Sequence, residues 1–166
     1  MKQFLQNQKN LVQNVFNDVY DKYDLMNDFM SLGIHRLWKK DLIMMMSPYT
    51  NKKLIDVGCG TGDISKLFLN TVKFKGSVYN VDPNKKMLDQ GKKRFKNLDN
   101  ISWHVGNAEN LKFKSNLFDY YTISFGLRNT KDINKSLKEA HRVLKPGGRF
   151  LCLEFSKISN SNLNFL

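Results

Sequence analysis

Lys53-Leu54-Ile55-Asp56-Val57-Gly58-Cys59-Gly60-Thr61-Gly62-Asp63 is the stretch that decides the fold. An apolar run ends at Val57, glycines take alternate positions, and a helical pattern opens at Asp63, which predicts a strand, a tight loop and a helix. Glycine lacks Cβ, so the backbone turns sharply here and can approach a bound group where any side chain would collide. Asp56, Gly58, Gly60 and Thr61 are therefore candidate ligand-binding residues. The Gly-x-Gly-x-Gly spacing after an acid differs from the Gly-x-Gly-x-x-Gly of dinucleotide-binding units, whose third glycine packs helix against sheet.

Outward from the loop, the next strand, Ser77-Val78-Tyr79-Asn80-Val81, ends on Asp82. A second-strand acid at about this distance from a glycine loop suits the vicinal hydroxyls of a ribose, because one carboxylate accepts two hydrogen bonds. The plainer reading is that the glycines only make a turn and Asp82 only caps the helix from Pro83. Loop, spacing and acid taken together resemble a class I S-adenosylmethionine-dependent methyltransferase, which implies S-adenosyl-L-methionine as cofactor.

From Lys53 onward strand and helix alternate: strand 53–57, helix 63–72, strand 77–82, helix 84–96, strand 101–106, strand 119–125, helix 132–144 and strand 149–155. Short connections between such segments predict an α/β fold, a doubly wound, mostly parallel Rossmann-like sheet. Lys145-Pro146-Gly147-Gly148 is read as a helix stop and reversal into the fifth strand, and Ser159-Asn160-Ser161-Asn162 as loop. Ahead of the sheet, Val12, Val15, Phe16, Val19, Tyr20 and Tyr23 recur at helical spacing. A second helix from Ser31 is expected to turn Leu32, Leu37, Trp38, Leu42 and Met45 one way before Ser47-Pro48. This divides one structural domain into an N-terminal helical cap, 1–48, and the α/β part, 49–166.

The 166 residues are 41% hydrophobic, enough for one domain with a core. No apolar run approaches the ~20 residues of a bilayer span, and the start lacks a secretory signal's apolar centre. A cytoplasmic protein is expected, in peripheral contact with the cytoplasmic face of the inner membrane. Cys59 and Cys152 have no metal-ligand spacing and are expected to be small buried thiols. His35, His104 and His141 are dispersed and receive no role, and Met44-Met45-Met46 is read as adaptable packing. The net charge of +12 invites a nucleic-acid partner. The basic residues are mostly scattered lysines without interleaved aromatics, so none is expected.

Val15-Phe16-Asn17-Asp18-Val19-Tyr20-Asp21-Lys22-Tyr23-Asp24-Leu25-Met26-Asn27-Asp28, followed by Met30-Ser31-Leu32-Gly33-Ile34-His35-Arg36-Leu37-Trp38-Lys39, resembles the N-terminal signature of the ubiquinone/menaquinone biosynthesis C-methyltransferases. Thr122-Ile123-Ser124-Phe125-Gly126-Leu127-Arg128-Asn129 resembles their second signature. Arg142-Val143-Leu144-Lys145-Pro146-Gly147-Gly148-Arg149-Phe150, leading into Leu153-Glu154-Phe155-Ser156, fits them too, though many methyltransferases share its turn. The resemblance runs from about Val15 to Ser156. It implies that Thr61, Asp82, Asn107, Ala108 and Ser124 contact S-adenosylmethionine. Sheets of this kind normally have seven strands, so the last two, a hairpin after the fifth, are expected to be absent.

Family chemistry is methyl transfer to a ring carbon of a polyprenylated quinol (demethylmenaquinol, 2-methoxy-6-polyprenyl-1,4-benzoquinol or both). Such a carbon becomes nucleophilic when a neighbouring hydroxyl loses its proton. Arg128 is the candidate for stabilising the oxyanion, Asn129 for orienting a hydroxyl or water, and Tyr20 or Tyr23 for relaying the proton. Equally open are capping of the turn before Asp132 by Arg128-Asn129, and core packing by the tyrosines. A homo-oligomer or a quinone-biosynthesis complex is compatible with the family. The rival readings are a methyltransferase for another small molecule, and an inactive truncated cofactor-binding domain or partner subunit.

Overall fold

A computed structural model of the chain describes residues 34–155. The expected helix over Val12–Tyr23, with Tyr20, and the Ser159–Asn162 loop lie outside the described residues. The elements run α1 (His35–Met46), β1 (Lys53–Val57), α2 (Asp63–Thr71), β2 (Ser77–Asp82), α3 (Lys85–Arg94), β3 (Ile101–Val105), β4 (Phe118–Ser124), a 3-10 turn (Leu127–Asn129), α4 (Ile133–Val143) and β5 (Leu144–Leu153). All four strand pairings are parallel, in the order β3-β2-β1-β4-β5. The order reverses between β1 and β4, and ligands sit in such sheets at that switch, beyond the carboxyl ends of the strands.

Alternation along the central strands divides the core between the two faces. Leu54, Val78 and Tyr120 belong to one cluster with Leu42, Ile43 and Met46 of α1 and Ile64, Phe68 and Leu69 of α2. Ile55, Val57, Tyr121 and Ile123 join Ala140 and Val143 of α4 on the other face. The first cluster makes α1, the described part of the expected cap, a structural member of the core. Arg149 on β5 donates through Nη1 to the Met46 carbonyl at 2.9 Å, tying off the carboxyl end of that helix.

Three expectations are corrected here. In α1 the buried stripe is His35, Leu42, Ile43 and Met46, whereas Leu37 and Met45 are 57% and 74% exposed. The apolar residues of this helix form more than one plausible stripe, and its contacts with α2 and β5 select between them. Lys145-Pro146-Gly147-Gly148 does not lie outside a strand: β5 starts at Leu144, pairs Leu144 with Phe118, and resumes with Arg149 opposite Tyr120 after a bulge. Proline has no N–H for a ladder, and an edge strand tolerates it at such a bulge. Finally, Cys59 in the glycine loop is half-buried, and Cys152 is exposed because β5 is the edge of the described sheet.

Candidate functional site

At the glycine loop the backbone adopts φ of 68° at Gly58, 55° at Gly60 and 88° at Gly62, left-handed values that disfavour side chains. Gly62 is doubly constrained, since a Cβ there would lie 2.8 Å from Cη2 of Trp103. Gly58 and Cys59 donate to the Val81 carbonyl, at 2.8 and 3.2 Å, which presses the loop onto the end of β2. Asp82 secures it further: its Oδ2 accepts from the Gly60 N–H at 2.9 Å and its Oδ1 from the Asn84 N–H at 2.8 Å. The cap of α3 is Asn84, whose side chain accepts from the amides of Lys86 and Met87. Each Asp82 oxygen has a second lone pair for a hydroxyl. Burial raises the Asp82 pKa against these two backbone donors.

Asp56, next to last in the neighbouring strand β1, is fully buried. Its Oδ1 accepts from the Thr122 hydroxyl at 2.8 Å. Its Oδ2 has no hydrogen-bond partner among the described residues, and neither does the buried Ser124 Oγ at the end of β4; the third such atom is Asn80 Nδ2, next to Asp56 in register on β2. Burial pushes the Asp56 carboxyl up to about 7, with the Thr122 hydrogen bond and the Lys39 charge pulling the other way. Leaving buried polar atoms unpaired is costly, so such atoms at the mouth of a sheet call for a ligand or water.

Around the loop stands an ion-pair chain that sequence reasoning missed. Lys39 of α1 lies 2.9 Å from Asp63 Oδ2, and Arg94 of α3 lies 2.7 Å from Asp63 Oδ1 and 3.4 Å from the Thr61 hydroxyl. Burial acts to raise the Asp63 pKa, but the two cations outweigh it and hold the carboxyl at about 2. Asn107, exposed, and Ala108, buried, follow β3. The structure thus brings Asp56, Gly58, Gly60, Thr61, Asp82, Asn107, Ala108 and Ser124 to the carboxyl ends of β1 to β4.

Arg128 and Asn129 sit one turn beyond Ser124. Arg128 Nη1 pairs with Glu154 Oε2, and Glu154 Oε1 accepts from the Leu127 N–H at 2.9 Å. The Asn129 amide donates to the Phe125 carbonyl at 3.3 Å. The Arg128 guanidinium lies 5.9 and 5.4 Å from the ring centroids of Phe125 and Phe155, and Trp38 meets the same rings at 6.4 and 5.9 Å. Phe125 itself has φ 55°, a rare value for a bulky residue that tends to cluster at functional sites. Glu154 and Trp38 stood inside the signatures without assigned roles, because their partners lie far off along the chain.

Among solved structures, the YcgJ protein from Bacillus subtilis is 27% identical, with a TM-score of 0.64 over 70% of this chain and 50% of that one. A SAM-dependent methyltransferase from Aquifex aeolicus, 20% identical, has the same fold, with a TM-score of 0.66 over 74% of this chain and 66% of that one. The ubiquinone/menaquinone biosynthesis C-methyltransferase UbiE of Rickettsia prowazekii is 50% identical over 159 residues, 92% of this chain. The mitochondrial 2-methoxy-6-polyprenyl-1,4-benzoquinol methylase of Dictyostelium discoideum is 44% identical over 191 residues, 96% of this chain. The chain spans 64% of the length of the first and 61% of the second. With its signatures, its glycine loop and a match to the family model over residues 2–165, the chain belongs to the ubiE/COQ5 methyltransferase family.

Proposed function

We propose that the chain binds S-adenosylmethionine and methylates a ring carbon of a polyprenylated quinol. The observation that carries this reading is the pair of unpartnered buried oxygens, Asp56 Oδ2 and Ser124 Oγ, at the strand ends beside Asp82. An ammonium suits Asp56, a ribose suits Asp82, and Asn107, following β3, is the candidate for an adenine edge. Bound there, the cofactor supplies an electrophilic methyl group on a sulfonium.

The remaining work falls to the chain. Trp38, Phe125 and Phe155 form an aromatic cluster suited to a flat ring. Glu154 occupies one amino group of Arg128, leaving other donors of the guanidinium for a phenolate oxygen. Asn129 Oδ1 is the candidate for orienting a hydroxyl, and Tyr20, outside the described residues, is the candidate proton relay. A polyprenylated substrate resides in a lipid phase, which favours peripheral contact with a membrane on its cytoplasmic face. No helix among the described residues is long and apolar enough to cross one.

Calorimetric titration with S-adenosylmethionine, followed by turnover of a demethylated quinol, tests the reading. Binding is expected, abolished in Asp82→Ala, and Arg128→Ala is expected to keep binding while losing turnover about a hundredfold or more. Normal turnover in Arg128→Ala would remove the oxyanion role. The edge position of β5 in the described sheet favours a second reading, a cofactor-binding domain that acts with a partner; binding without turnover is its signature.

A further inference from the structure

A ligand that carries an ammonium and a carboxylate on one carbon, as the amino-acid end of S-adenosylmethionine does, needs an anion and a cation close together in its site. Asp56 provides the anion, and the cofactor contacts implied by the resemblance, Thr61, Asp82, Asn107, Ala108 and Ser124, include no cation. Among the described residues, Lys39 and Arg94 reach the loop. Arg94 lies 5.7 Å from the Phe95 ring centroid and spans Asp63 and Thr61 from the α3 side. Lys39 comes from α1 with only 13% of its side chain exposed, holds Asp63 Oδ2 at 2.9 Å, and acts electrostatically on Asp56 as well. An ammonium has three donors, and among the described residues Asp63 is the one partner of Lys39 by geometry, which leaves two donors for a ligand. Asp63 opens α2, where the free backbone amides of the first turn add to a positive local field.

Resting on the cofactor reading above, we infer that Lys39 holds the carboxylate of the cofactor's amino-acid end while Asp56 faces its ammonium. Helix α1 then supplies half of the recognition of a ligand otherwise bound by the sheet. A purely structural Lys39 would fasten α1 to α2 through Asp63 and treat all adenosyl ligands alike. The two roles separate on ligand charge.

The test is calorimetry of the chain and of Lys39→Met with three probes: S-adenosylhomocysteine, its decarboxylated analogue, and methylthioadenosine, which lacks the amino-acid end. Lys39→Met is expected to weaken S-adenosylhomocysteine about tenfold or more, with the other two probes within about twofold. Lys39→Arg is expected to recover most of the loss. Equal weakening of all three probes, or unchanged affinity for S-adenosylhomocysteine, would overturn the assignment. If the unaltered chain binds none of them, the cofactor reading itself falls and takes the assignment with it. If it binds all three while Lys39→Met discriminates among none, the role of Lys39 falls alone.

Discussion

Asp56 combines full burial with a carboxyl held near neutrality, and this has a sign that titration can read. Unfolded, the group ionises near 3.8; folded, near 7. Between those values the folded chain retains a proton that the unfolded chain has released, so stability falls as pH rises through the window and levels off above it. A cationic ligand reverses the preference. Affinity for S-adenosylmethionine should rise with pH towards about 7, and binding below that should release a proton, measurable by titration in two buffers of different ionisation enthalpy. Asp56→Asn should remove the proton release, weaken the ligand, and stabilise the empty chain at pH 8 in a denaturant melt. Equal heats in both buffers would contradict the placement of an ammonium there. Asp56 and Asp82 were legible in the sequence because Asp56 interrupts the apolar run that leads into the glycine loop and Asp82 ends the next one. Lys39 and Glu154 were not, because their meaning lies in partners 24 and 26 residues away.

Helix α3 tests packing against propensity. Gly91 lies inside it, and in an isolated helix alanine would gain about 1 kcal/mol over glycine. Here a Cβ would fall 2.2 Å from Trp103 Cη2, so Gly91→Ala should instead destabilise by about 1–3 kcal/mol in urea melts. Trp103→Leu beside it should return part of that. A gain in stability from Gly91→Ala alone would mean that the indole is free to move. The same contrast explains what the sequence disclosed of each element. Strand β1 and helices α2 and α4 appeared at nearly their observed bounds because one pattern served propensity and packing together. The face of α1 was misassigned because Leu37 and Met45 repeat at helical spacing as well as the residues that are buried. The Pro146-Gly147 bulge was read as a turn because proline and glycine mark both.

For the molecule as a whole, alternating strands and helices were enough to foretell a parallel sheet, since crossovers of this kind follow one hand. Among the described residues β5 is one edge of that sheet. On β5, Phe150 is 39% exposed, Cys152 is exposed, and Phe155 just beyond is 52% exposed; with Trp38, Leu42 and Met45 of α1 the strand lines a groove of about 650 Å3. Unpaired edges with apolar side chains invite association. Light scattering should therefore show concentration-dependent growth that Phe150→Lys reduces, while a monomer at every concentration would show the edge to be adequately protected.

The bond from Arg149 to the Met46 carbonyl joins residues 103 apart in the chain. Translation at about 5–20 residues per second leaves roughly 5–20 s between the emergence of one partner and the other. Throughout that interval the ribosome displays α1 without this anchor, able to lean on α2 and on the strands already made. The helix carrying Lys39 is made early and locked late, which places its apolar stripe within reach of chaperones and proteases until the fifth strand arrives.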